Sequence, residues 1–97
     1  MKPLKPTTRG VSRFLTAAGF DRSTSYASMI RGWPNWTAGF TVYGLADGGV
    51  EVRYHGHLSA RDAREKTWRM ASVLLGRFDV KMDRHEYLTV TAKAVTR

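Results

Sequence analysis

Residues 40–54 read FTVYGLADGGVEVRY, with apolar and polar side chains alternating on both sides of a glycine-rich centre. A period of two is typical of a strand that buries one face. The central run Ala46-Asp47-Gly48-Gly49 favours a tight turn, because glycine accepts a positive φ without steric cost. This stretch therefore predicts a β-hairpin with its turn at residues 46–49.

The residues after the hairpin predict a helix followed by two more strands. Ser59 is placed to cap the helix, and Asp62 takes the position that Glu or Gln holds in the usual capping box. Gly76 is expected to end this helix. Two alternating runs follow at residues 78–82 and 88–92. The buried stripe of the helix is predicted to be Ala60, Ala63, Thr67, Met70, Ala71 and Leu74.

The segment before the hairpin also contains a helix, predicted from Arg9 to Ala18. The apolar residues that share its buried face are Val11, Phe14, Leu15 and Ala18. Thr8 is expected to cap its start, and Gly19 to take the left-handed conformation that ends it. Residues 21–35 favour a loop, because they are rich in Ser and Thr and contain Gly-Trp-Pro. Residues 1–7 are expected to form a flexible basic lead-in, since prolines bias the preceding residue away from helix.

These elements predict an α+β fold. The simplest arrangement is a two-layer sandwich, in which a four-stranded antiparallel sheet carries two helices on one face in the order α-β-β-α-β-β. The other face of the sheet would be polar and of mixed charge, so we interpret it as solvated surface. Its residues are predicted to be Thr41, Tyr43, Glu51, Arg53, His55, Lys81, Thr89, Thr91 and Lys93.

Length and composition indicate one small folded domain. The chain has 97 residues, 42% of them hydrophobic, and no cysteine. We expect residues 8–97 to form a single domain. The absence of cysteine excludes disulfides and cysteine-based zinc sites. No apolar run approaches the ~18 residues of a membrane span, and no signal-peptide core follows Met1. The expected location is therefore cytoplasmic, without a membrane partner.

The sequence also lacks the motifs of common catalytic sites. It contains no phosphate-binding glycine loop, no Gly-x-Ser-x-Gly elbow, no His-Glu-x-x-His and no carboxylate cluster suited to two-metal chemistry. His55 and His57 lie two residues apart with His85 elsewhere, which is fewer ligands than a zinc site needs. We therefore expect no enzymatic activity, no cofactor, no metal and dispensable histidines.

Positive charge is concentrated in the first third of the chain. Residues 1–34 contain six Lys and Arg against one acid, Asp21, whereas residues 35–97 contain ten against seven. Arginine forks bind phosphates and flat aromatic side chains stack on unpaired bases, so this segment predicts binding of nucleic acid, either DNA or RNA. The same residue types anchor protein interfaces, so an interaction module for an acidic protein is the alternative. The candidate binding residues are Arg9, Arg13, Arg22, Tyr26, Arg31, Trp33 and Trp36.

Arg9 and Arg13 lie four residues apart in a predicted helix without acidic residues. Residues at this spacing share a face, and their like charges repel unless an anion lies between them. Three other arginines, on the second predicted helix and at its exit, serve as controls outside this surface. They are Arg61, Arg69 and Arg77.

Several aromatic and arginine side chains allow more than one interpretation. Trp33 and Trp36 fit either a binding surface or the roof of the core. Arg64 falls in the apolar sector of the second helix, and we expect it to snorkel from the core edge beside Trp68. A helix-turn-helix over residues 15–31 fits poorly, because serines occupy positions that its second helix needs to be apolar.

Two resemblances to known proteins add context. The runs VSRFLTAAGF (11–20), RGW (31–33) and GFTV (39–42) look like small proteins of actinobacteria and of their phages and integrative elements. That resemblance implies an accessory or regulatory role on a mobile element, without a specific activity. The motif Leu15-x-x-Ala18-Gly19-Phe20 resembles the start of small ribonuclease toxins of the HicA type, which implies ribonuclease activity as a third alternative. The Gly-Ser-His that carries the catalytic histidine of that family is missing here, and the element order differs.

Overall fold

The computed structural model describes residues 5–23, 38–55 and 59–93. Within these ranges the chain forms two helices and four strands, which confirms the predicted α+β fold and its order α-β-β-α-β-β. The elements are α1 (Thr8–Ala17), β1 (Gly39–Gly44), β2 (Val50–His55), α2 (Ala60–Leu75), β3 (Phe78–Met82) and β4 (Leu88–Ala92).

The four strands form one antiparallel sheet in the order β1-β2-β4-β3. The predicted hairpin joins β1 to β2: the amide of Leu45 donates to the carbonyl of Gly49 at 2.9 Å, and Gly48 has a φ of 92°. Val50 of β2 pairs with Val90 of β4, so the two hairpins meet at the centre of the sheet.

Each helix begins and ends through local contacts. Ser59 caps α2 by accepting a hydrogen bond from the amide of Asp62 at 3.1 Å, as predicted. At α1 the cap is Thr7, whose hydroxyl accepts from the amide of Gly10 at 2.9 Å, so the prediction of Thr8 is wrong by one residue. Gly19 follows α1 with a φ of 100°, the left-handed conformation that glycine accepts without strain.

The hydrophobic core lies between the sheet and the two helices. α1 packs against β1 and α2, and α2 packs against β2, β3 and β4. The buried apolar residues are Val11, Leu15, Phe40, Val50, Val52, Met70, Leu74, Phe78, Leu88 and Val90. Residues 5–7 lead into α1 with Pro6 buried.

The buried stripe of α2 is shorter than predicted. Thr67, Met70 and Leu74 are buried, but Ala60 is exposed. A 16-residue helix is about 24 Å long, whereas strands of five or six residues span about 17–20 Å. The first residue of α2 therefore does not reach the core.

The predicted place of Arg64 at the core edge beside Trp68 is wrong. The Arg64 side chain is 61% exposed, and its Nε donates to Oε1 of Glu86 at 2.7 Å. Glu86 lies in the β3–β4 turn with a φ of 65°, and its carboxylate binds the guanidinium on the outside of α2. Trp68 is itself 59% exposed.

Candidate functional site

The outer side of α1 carries the two arginines that the sequence placed on one face. Val11 and Leu15 are fully buried against the sheet, so Arg9 and Arg13 are exposed on the solvent side. Thr16 lies beside them, and its hydroxyl donates to the carbonyl of Ser12 at 2.9 Å. The exposed face of α1 therefore presents two cations held at a fixed helical spacing.

Arg22 joins these arginines because the chain after α1 pairs with β1. The amide of Ser23 donates to the carbonyl of Phe40, and the amide of Phe40 donates to the carbonyl of Asp21, both at 2.9 Å. These bonds form a parallel bridge between Arg22 and Phe40. A Cβ on Gly39 would collide with the backbone of residues 21–23, so the close approach requires glycine there. The segment predicted as a loop thus begins as an ordered edge of the sheet.

The three arginines line one open groove between α1 and β1, which we call the basic groove. Its volume is about 800 Å³. Its lining residues are Thr8, Arg9, Ser12, Arg13, Thr16, Ala17, Arg22 and Val42, with no acidic side chain among them. The groove therefore presents guanidinium and hydroxyl donors to whatever occupies it.

A second groove lies on the other side of α1, and we call it the aromatic groove. Its volume is about 330 Å³, and its lining residues are Lys5, Thr7, Gly10, Arg13, Phe14, Ala17, Arg77 and Phe78. Arg13 lines both grooves. The guanidinium carbon of Arg77 lies 5.9 Å from the centre of the Phe14 ring.

Arg77 and Lys5 line the aromatic groove, although the sequence did not predict either of them as a binding residue. Arg77 was expected to serve as a control outside the binding surface, and the structure corrects that expectation. The chain reverses direction after α2 and places Arg77 beside Phe14 of α1. No local sequence pattern predicts a contact between residues so far apart in the chain. Lys5 had only its positive charge as a signal.

The cations around α1 take no part in the ion pairs seen within residues 5–23, 38–55 and 59–93. Those pairs are Arg53 with Glu51, Arg64 with Glu86, and Arg69 with Glu65. Unpaired cations on one surface raise the local potential and attract anions. The surface around α1 is therefore suited to an anionic partner.

The remaining predicted site residues lie outside the described part of the chain. They are Tyr26, Arg31, Trp33 and Trp36. The structure therefore brings together Arg9, Arg13 and Arg22 from the predicted set and adds Lys5 and Arg77 to them.

Neither His55 nor His85 lines the basic groove or the aromatic groove. His55 is half-buried at the end of β2, with its Nε2 3.0 Å from the hydroxyl of Thr41. Burial, and then the charge of Arg53, lower the pKa of His55. His85 lies beside the ring of Tyr87, and His57 lies outside the described residues. No three His, Cys, Asp or Glu side chains in the described ranges are placed to hold a metal ion.

The chemistry available in the two grooves is binding of anions by arginine, lysine and hydroxyl groups, with an aromatic surface in one of them. None of the helices in the described ranges has the length and hydrophobicity that a membrane span requires.

Comparison with known proteins finds no matching family model, no matching curated protein and no matching solved structure. The site itself must therefore carry the functional conclusion.

Proposed function

We propose that this protein binds nucleic acid through the basic groove, with arginine side chains contacting phosphates. One observation carries the proposal. Arg9 and Arg13 on α1 and Arg22 at the sheet edge line the same open groove, and no acidic residue lines it with them. Arginine forks match the geometry of phosphate oxygens, and such contacts fix a protein on a nucleic-acid backbone.

The form of the groove favours contacts with the backbone over reading of base edges. It is open to solvent, and its cations come from two turns of one helix and one sheet edge. The chain carries a net charge of +8, which adds long-range attraction. Affinity should therefore fall steeply with salt and depend little on sequence.

The biological setting of this proposal rests on the sequence resemblance to proteins of actinobacteria, their phages and their integrative elements. On that basis we place the binding in an accessory or regulatory role on a mobile element. An acidic protein offers the same anionic chemistry, so the experiment below has to separate the two kinds of partner.

The test is a titration of labelled duplex DNA, single-stranded DNA and structured RNA, beginning at ~50 mM salt, where nonspecific electrostatic binding is strongest. Replacing Arg9 and Arg13 together by Gln should lower the slope of log K against log salt by about 2 on duplex DNA. The matched control replaces Arg61 and Arg69 by Gln, because both lie on α2 and neither lines the basic groove or the aromatic groove.

Two results would contradict the proposal. The first is no binding of any of the three nucleic acids at the lowest salt. The second is an equal loss of binding in the α2 control, which would mean that the binding surface is not confined to α1 and the basic groove. Capture of an acidic protein that unrelated DNA and RNA do not displace would establish the alternative partner instead.

A further inference from the structure

The aromatic groove differs from the basic groove in size and lining. Its volume of about 330 Å³ lies at the lower end of the range of small-molecule pockets, which is about 300–1,000 Å³. Most of its surface is apolar, and Phe14 and Phe78 are its aromatic members. It is therefore large enough for one planar group and too small for a duplex.

The Phe14 ring, on α1, contacts a residue of β3 and a residue of the turn before β3. Phe78 meets it edge to face, with the ring centres 6.1 Å apart and the planes at 82°. Arg77 places its guanidinium against the same ring. Phe14 is half-buried, so part of its surface remains available within the groove.

The positive charge of the aromatic groove favours an anionic ligand. Lys5, Arg13 and Arg77 line it, and no acidic residue does. An apolar planar group with a negative charge beside it matches both the aromatic lining and the cations. A nucleotide has this composition, because its base is flat and its phosphate is anionic.

We infer that the aromatic groove holds one unpaired nucleotide of a single strand, with the base against Phe14 and the phosphate at Arg13 and Arg77. This inference rests on the proposed function and deepens it. Arg13 lines both grooves, so a strand whose backbone follows the basic groove reaches the aromatic groove across α1 without a gap in the cationic surface. A paired base cannot enter, so the protein binds single strands in preference to duplexes.

The experiment measures binding of a single-stranded and a duplex oligonucleotide by wild-type protein and four variants. Phe14→Leu keeps an apolar side chain and removes the aromatic face, whereas Phe14→Tyr keeps the face. Arg77→Gln removes a cation of the aromatic groove. Arg61→Gln removes a cation at the start of α2 that lines neither groove. Circular dichroism melts of every variant show whether it remains folded.

We expect Phe14→Leu to weaken single-strand binding by about fivefold or more and to leave duplex binding within about twofold. Phe14→Tyr should restore single-strand binding. Arg77→Gln should lower the salt slope on single strands by about 0.7, with no change on duplex. Arg61→Gln should alter neither. If Phe14→Leu unfolds, the contrast between Arg77→Gln and Arg61→Gln still decides the question.

The inference is overturned if single strands and duplex bind equally well, or if Phe14→Leu and Arg77→Gln weaken both to the same extent. Either result leaves the proposed function in place, because the basic groove still binds the backbone. If wild-type protein binds neither oligonucleotide, the proposed function fails and this inference fails with it.

Discussion

The guanidinium carbon of Arg53 lies 4.2 Å from the centre of the Tyr87 ring, on the sheet face that the helices leave uncovered. The centre of the Tyr43 ring, on the neighbouring strand, lies 4.8 Å from the same carbon. Glu51 accepts a hydrogen bond from Nε of Arg53 at 2.8 Å, and this bond raises the pKa of Arg53. The charge of Arg53 is thus paired within the sheet, whereas the cations around α1 form no ion pair with the described residues.

The first prediction follows from the contact of the Arg53 guanidinium with two tyrosine rings. Arg53→Lys keeps the charge but removes the guanidinium from the rings of Tyr43 and Tyr87, so it should lower the free energy of unfolding by about 0.5–1 kcal/mol. Urea unfolding measures this loss. Arg61→Lys, on the exposed side of α2, should change stability little. Equal stability of both variants would show that the contact between the guanidinium and the rings contributes nothing.

The second prediction concerns the close approach at Gly39. Gly39→Ala should lower the free energy of unfolding by about 2 kcal/mol or more, because its Cβ would collide with the backbone of residues 21–23. Gly44→Ala is the matched control in the same strand, since its Cβ would meet only Thr8 Cγ2 at 3.6 Å. Urea unfolding of both variants checks the difference, and an unchanged Gly39→Ala would contradict the pairing of Arg22 with Phe40.

The third prediction is a pH dependence of stability due to His55. Its pKa is lowered in the folded state, whereas histidine in the unfolded chain titrates near pH 6.5. The unfolded chain therefore binds the proton more tightly, and stability is fully present above about pH 6.5 and lost as the pH falls through the lower folded pKa.

Urea unfolding across this pH range is the measurement. His55→Gln should lose less stability on acidification than the wild type, because Gln binds no proton. His85→Gln, which keeps His55, should retain the wild-type loss. If His55→Gln loses as much as the wild type, another group causes the dependence.

The fourth prediction concerns Arg22, which only the tertiary structure places in the basic groove. Adding Arg22→Gln to the double replacement of Arg9 and Arg13 should lower the salt slope on duplex DNA by about 0.9 more. Lys81→Gln is the control, because the alternation of β3 places Lys81 on the uncovered sheet face. An equal effect of both replacements would mean that only net charge matters.

Local patterns predicted most of the fold. The turn at residues 46–49, the cap at Ser59 and the left-handed Gly19 each depend on atoms within a few residues of one another, and the structure contains all three. The errors occur where local patterns give equal support to neighbouring positions or depend on distant partners. Thr7 and Thr8 are both good caps, and Arg64 faces outward because Glu86 binds it from another element.

The sequence by itself determined the helices, the strands and the common face of Arg9 and Arg13, because periodicity and capping act over three or four residues. The sequence also named Arg22 as a candidate binding residue, but only the tertiary structure places Arg22 in the same groove and Arg77 beside α1. Backbone pairing with Phe40 brings Arg22 to the groove that Arg9 and Arg13 line, and the packing of Phe14 against Phe78 brings Arg77 to α1. Both contacts link residues far apart in the chain, and their energy comes from burial and strand pairing that exist only once the sheet and helices have assembled.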